Sequence, residues 1–311
     1  MDHATLVDQD LALVEEALQQ AIATDVDTLG AIGQHVASTP GKRLRPRVLL
    51  LSYRAGGGQD GAAAVPLAAA VELVHTASLI HDDVNDQSDL RRGRETVNAR
   101  WGDTLALLAG DFVFARILSL VGGMGRGIID LLAETCRTLV EGETLQAQAA
   151  GRTDVTEEAY LDIIRRKTAA LFATSAQLGG TLAGGADPWI AGLREFGLCV
   201  GLAYQIRDDT LDLIGDREAL GKPIASDVKQ GHVSLAPIYW LARHPQAEAV
   251  WASRDPSRIA AALCDSGAID YAHQTAREYT ERGLAALAVL PNSPARAALA
   301  DLAEMAGAWP A

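Results

Sequence analysis

Residues 61–86 read GAAAVPLAAAVELVHTASLIHDDVND. The run from Gly61 to Ile80 is apolar and built largely of small side chains, is broken by Glu72 and His75, and leads into a set of acids. No window reaches the ~20 apolar residues that a bilayer span needs, so the run predicts a buried core helix. On that helix Asp82 and Asp86 sit one turn apart on one face, and Asp83 borders the same face. Carboxylates crowded at the end of an apolar helix repel one another. A hard, oxygen-seeking cation is what would offset that cost.

The same spacing returns at Asp208-Asp209-Thr210-Leu211-Asp212, again after an apolar helical run, Phe196 to Ile206. Two such D-D-x-x-D clusters facing across a cavity would hold Mg²⁺ through one or two carboxylates each, leaving positions for water and phosphate oxygens. A diphosphate bridged by these cations departs more readily, because the charge growing on its oxygen is neutralised. Neither cluster has the form of a twelve-residue calcium loop with a central glycine.

Outward from these clusters, apolar spacing predicts helices over 7–35, from Pro46 to the Gly56-Gly57-Gly58 break, and over 98–118, 135–150, 156–179 and 189–214. Residues 87–95 and 215–232 read as loops, and shorter helices follow, broken near His244-Pro245 and Pro291 to Pro294. Few stretches alternate with period two, and aromatic residues make up only 5% of the chain, so no sheet is expected. The prediction is an all-α chain, one helical domain over residues 1–311.

The net charge of -13 argues against a nucleic-acid partner. It leaves phosphorylated substrates open, since a local basic patch or bound cations can reverse the field in a cleft. Cys136, Cys199 and Cys264 lack metal-ligand spacing and read as free thiols of a reducing compartment. The first residues carry no basic and apolar leader, so the expected location is the cytosol, without a membrane-spanning segment.

Basic residues complete the chemistry. Lys42, Arg45, Arg91, Arg92 and Lys167 are candidates for diphosphate contacts, the arginines as planar forks and the lysines as point charges. Arg91-Arg92 lies in a glycine-ended loop five residues past Asp86 and can fold back over an anion held there. His75, two turns before Asp82, reads either as a hydrogen-bonded core histidine or as a diphosphate ligand.

Taken together, the chain resembles the trans-polyprenyl diphosphate synthases, the head-to-tail isoprenoid chain-elongating family. The likeness runs through Gly41 to Pro46, His75 to Asp86, Arg91-Arg92-Gly93, Thr96-Val97-Asn98 and Leu108-Ala109-Gly110-Asp111. It continues through Glu141-Gly142-Glu143 with Gln146, Lys167-Thr168-Ala169, Tyr204-Gln205-Ile206 and Gly221-Lys222-Pro223. The resemblance implies an all-α isoprenoid-synthase bundle around a deep central cavity, usually a homodimer. It also implies that Mg²⁺, three ions with the allylic diphosphate bound, is held by Asp82, Asp86 and Asp208, supported by Asp83 and Asp212. Asp209, within the second of these acidic motifs, counts with those acids and Lys167 among the implied catalytic residues. Arg91, Lys167, Thr168, Gln205 and Lys222 would assist, and Lys42, Arg45, His75 and Arg92 would contact isopentenyl diphosphate. Pro40, Ala225 and the stretch from Gly231 to Ala236 depart from the family pattern. His232 stands there as a hydrogen-bond donor that is only a weak, pH-dependent cation.

Product length is expected to follow from the helix leading to Asp82. Ala77 and Ser78, five and four residues upstream, are small where short-chain relatives commonly carry an aromatic floor. Either the small pair only permits close helix packing, or the floor is deeper, at the level of Ala70, Leu73 and Val74, with Phe112 or Phe114 from a neighbouring helix, and the second reading favours a medium or long product. Two rival functions remain: a terpene cyclase, and a regulatory subunit of a hetero-oligomeric synthase. Lys42, Arg45 and the second full acidic motif weigh against the first, and the presence of every acid in both clusters weighs against the second.

Overall fold

The computed structural model describes residues 5–39, 41–214 and 231–308, and nearly all secondary structure among them is helical. In chain order the helices are α1 (Asp8–Ala21), α2 (Asp27–Ala37), α3 (Leu44–Ala55), α4 (Val65–Asn85), α5 (Val97–Trp101), α6 (Asp103–Val121), α7 (Arg126–Ala149) and α8 (Glu157–Ile164). They continue with α9 (Ala170–Leu182), α10 (Asp187–Ile214), α11 (Leu235–Arg243), α12 (Ala247–Ala252), α13 (Pro256–Asp265), α14 (Ala268–Ala286) and α15 (Pro294–Gly307). The all-α expectation holds.

Two compact units divide the chain: Met1–Cys136 with Thr174–Arg194 and Leu287–Asp301, and Arg137–Ala173 with Glu195–Ala286 and Leu302–Ala311. In the first, α4 is the central helix. It packs against α1, α3 and α6, and Leu67 through Val71 and Leu73 are buried, as are Val14 and Leu18 of α1, Val48 to Leu51 of α3, and Ala106, Ala109, Val113 and Ile117 of α6. Small residues let these helices approach closely, and a Cβ on Gly110 of α6 would lie 2.2 Å from the His81 ring of α4. The second unit buries Tyr160, Ile164, Ala169, Leu202, Ile206, Leu235, Trp240, Trp251 and Leu263 in one apolar cluster. There Gly197 and Gly201 of α10 lie directly on backbone, and a Cβ on them would approach Phe172 O and Ala169 Cα to 2.4 and 2.6 Å.

Three local features differ from the sequence expectation. The helix expected over 7–35 is two helices, because Thr24 Oγ1 accepts from Val26 N–H (3.3 Å) in the turn between them. The 87–95 loop contains a two-residue antiparallel pair, Leu90–Arg91 (β1) with Arg94–Glu95 (β2), too short to leave an alternating pattern. Its central residues, Arg92 and Gly93, both have positive φ (52° and 75°), the backbone of a tight hairpin turn. Finally, the helix expected over 156–179 is interrupted by one π turn at Arg165–Ala169.

Two helical segments, Gly61–Asn85 and Asp103–Val121, are long and apolar enough by composition to cross a membrane. This corrects the expectation from sequence that no window is long and apolar enough. Of the first, 67% of the apolar window is buried inside the protein; of the second, 33%.

Candidate active site

The first acidic motif closes α4. Asp86 N–H bonds back to Asp82 O (2.8 Å), so Asp82 and Asp86 lie one turn apart as the spacing predicts. Asp82 and Asp83 are buried and Asp86 is half-buried. The hairpin that follows folds back, and Arg91 donates to Asp83 Oδ1 from Nε and lies 2.7 Å from it through Nη2. Its base is stapled to the end of α4, since Thr96 Oγ1 and Asn98 Nδ2 both donate to Ser88 O (2.6 and 3.1 Å). Burial raises the Asp83 pKa, Arg91 pulls it down, and Asp82 and Asp86 push it up again. Burial works against the charge on Arg91, but Asp83, Asp82 and Asp86 hold it firmly protonated. Three carboxylates and one guanidinium are thus gathered at the end of α4, and carboxylate oxygens are the donors a hard divalent cation takes.

A basic cluster lies in the same unit. Arg43 precedes α3 in left-handed backbone (φ 47°) and is held there by Glu15 (2.5 and 3.1 Å) and Glu72 (3.1 Å). Gly41 sits against the guanidinium groups of Arg43 and Arg92, each 3.0 Å from where a Cβ would be. Beside them His75 is half-buried, and burial followed by the charges of Arg45, Arg92, Arg91 and Arg43 lowers its pKa well below 6.5. His75 thus lies among the guanidinium groups of this cluster. Lys42, at the mouth of this segment, is exposed.

In the second unit the π turn places Lys167 Nζ 2.8 Å from Glu143 and Thr168 Oγ1 2.7 Å from Gln205 Oε1. The turn passes so close to α7 that a Cβ on Gly142 would lie 2.6 Å from Lys167 N. Asp208 is exposed, Asp209 is half-buried and hydrogen-bonded to Gln205 and Tyr160, and Asp212 is fully buried. Gln146 Nε2 lies 3.1 Å from His232 Nδ1, next to the Gly151 N–H to Gly231 O bond (2.9 Å). Lys222 and Ala225 lie outside the described residues, as does Pro40. Among the described residues no three His, Cys, Asp or Glu side chains form a preassembled metal site.

Ala77 is buried on α4 and Ser78 beside it donates to His75 O (2.9 Å). Val74 is buried, Phe112 half-buried and Phe114 42% exposed. Sequence reasoning left Arg43, Glu15 and Tyr160 without roles. Glu72, a lone acid in an apolar helix, was the available signal for a buried cationic partner.

The polyprenyl synthetase family profile matches residues 26–259. The chain belongs to that family. It is 37% identical to a short chain isoprenyl diphosphate synthase of Methanothermobacter thermautotrophicus, over 94% of each chain. It is 36% identical to the octaprenyl diphosphate synthase of Escherichia coli, over 97% of this chain and 96% of that one. A crystal structure of polyprenyl synthase from Caulobacter crescentus, complexed with calcium and isoprenyl diphosphate, superposes with a TM-score of 0.94 at 36% identity, covering 98% and 97%. This polyprenyl synthetase is therefore a trans-prenyltransferase that elongates isoprenoid chains head-to-tail, by the divalent-metal-dependent chemistry of its family.

Proposed function

We propose that the enzyme condenses isopentenyl diphosphate with an allylic prenyl diphosphate, in a Mg²⁺-dependent reaction, to a linear all-trans polyprenyl diphosphate of medium or long chain. The carrying observation is that two complete acidic motifs coexist with a separate cationic cluster around His75, one for each of two diphosphates. A cyclase, which uses one diphosphate substrate, has no use for the second. Asp82, Asp86, Asp208 and Asp212 are the proposed Mg²⁺ ligands, for three ions with the allylic substrate bound, and Asp83 keeps Arg91 beside them. The metal neutralises charge on the departing diphosphate. Arg91, Lys167, Thr168, Gln205, Lys222 and His232 hold the allylic substrate, and Lys42, Arg45, His75 and Arg92 hold isopentenyl diphosphate.

Identity over the whole chain does not select a product, since a short-chain and an octaprenyl synthase match at 37% and 36%. The local argument rests on Ala77. One helical turn rises ~5.4 Å, comparable with an extended isoprene unit, so lowering the floor by a turn lengthens the product by about one unit. Ala77→Phe is expected to shorten the product while the first condensation continues. An unchanged length profile at comparable conversion would remove Ala77 from the floor.

The decisive assay uses purified chain, Mg²⁺, labelled isopentenyl diphosphate and allylic primers of several lengths, with products identified by mass. Labelled linear chains are expected. Cyclic hydrocarbon from a long primer, or turnover only with a second subunit, would overturn the reading. A homodimer and a cytosolic location belong to the same proposal.

A further inference from the structure

Arg91 and Arg92 act from a hairpin whose ladder pairs only two residues of each strand, and a ladder of that size does not hold its shape alone in water. Its outgoing strand is anchored by Arg91 to Asp83, and its base by Thr96 and Asn98 to Ser88 O. The returning strand has a second anchor, at the end of α2. His35 Nε2 lies 2.8 Å from Glu95 O, and Ser38 Oγ accepts from Arg94 Nη1 (2.9 Å). Arg94 and Glu95 are the ladder partners of Arg91 and Leu90, so a grip on β2 also fixes β1.

The partners assign the hydrogens of this anchor. Glu95 O can only accept, so His35 carries a hydrogen on Nε2. Arg100 Nη1, 3.5 Å from Nδ1, can only donate, so Nδ1 presents its lone pair. Ser38 gives its single hydrogen to His35 O (3.0 Å) and meets Arg94 through a lone pair. Trp101 of α5 backs the imidazole, with ring centroids 5.2 Å apart and planes at 73°, and Arg100 Cζ lies 4.7 Å from the indole centroid. His35, Ser38 and Trp101 stand outside both acidic motifs and outside the basic cluster around His75.

We infer that His35 is a positioning residue: through Glu95 O it braces the hairpin, so that Arg91 and Arg92 are in place before either diphosphate arrives. The brace lowers the cost of ordering the hairpin at the moment of binding. The inference rests on the elongation reading, in which Arg91 meets the allylic diphosphate and Arg92 meets isopentenyl diphosphate.

The test compares wild type with His35→Gln and His35→Asn, reading kcat and the KM of each diphosphate substrate. A glutamine amide reaches as far as Nε2 and can still donate to Glu95 O, whereas an asparagine amide stops at the level of Nδ1 and cannot. His35→Asn is expected to raise both KM values roughly 2–10-fold, the worth of one hydrogen bond, with kcat within about twofold. His35→Gln should recover most of that loss. A residue that served only the fold would behave otherwise: partial unfolding lowers the active fraction, and hence kcat, and leaves KM where it was. Wild-type KM values in His35→Asn would overturn the inference, as would equal impairment of His35→Asn and His35→Gln. A wild-type chain without turnover would sink the elongation reading instead. Calorimetric titration with inorganic diphosphate and Mg²⁺ would then still decide the brace: binding weakened in His35→Asn and restored in His35→Gln supports it, and equal binding by all three proteins overturns it.

Discussion

His75 sits inside the arginine cluster of the first unit. Burial and four arginines keep its imidazole neutral, with a pKa well below 6.5. In the unfolded chain the group binds a proton as pH falls through about 6.5, whereas the folded protein does so only at lower pH. The stability it contributes is thus fully present above 6.5 and lost as pH falls toward the folded value, by up to about 1.4 kcal/mol per pH unit. His75→Gln is expected to flatten the fall in urea midpoint between about pH 6.5 and 5 relative to wild type. Parallel curves for the two proteins would mean that His75 is not held neutral. At this scale the acids and arginines were legible because their types and spacing carry the chemistry by themselves. Arg43 with Glu15 and Tyr160 with Asp209 were not, since partners 28 and 49 residues apart leave no local pattern.

The elements were read well where an apolar period stops at glycine or proline. They were read badly where the period survives a break. Leu18 and Ile22 keep helical spacing up to the turn before α2, and the π turn at Arg165–Ala169 adds a residue without erasing the apolar face around it. That π turn has its mark in α7. Gly142 gives up helix propensity, worth about 1 kcal/mol against alanine, to let the Lys167 backbone approach. Gly127, near the start of the same helix, has nothing within 4 Å of its missing Cβ. The two glycines should therefore respond oppositely to alanine. Gly142→Ala is expected to lower stability by about 1–3 kcal/mol through overpacking and to displace Lys167 from Glu143. Gly127→Ala should raise the Tm slightly. A Gly142→Ala protein as stable as Gly127→Ala in thermal melts would show that the π turn yields and needs no glycine beneath it.

At the scale of the whole molecule, the net charge of -13 concealed a local cationic cluster of Arg43, Arg45, Arg91 and Arg92, because a sum over the chain carries no positions. Composition was equally silent on the outer face of α6. Leu107, Phe114 and Leu118 recur there at intervals of seven and four, on one stripe, and are 44%, 42% and 59% exposed. Apolar side chains aligned this way on a helix only 33% buried along its apolar window call for a cover. A second copy is the cover we expect. Two identical faces meet symmetrically about a twofold axis, so one stripe supplies both halves of the contact. Placing a glutamate at two positions of that stripe sets like charges against each other in the dimer while leaving the core of the chain untouched. Phe114→Glu with Leu118→Glu is thus expected to halve the mass measured by light scattering on a sizing column, with far-UV circular dichroism unchanged. A wild-type chain that already elutes as a single copy, or a double variant that keeps twice the chain mass, would mean that this face is covered by something else.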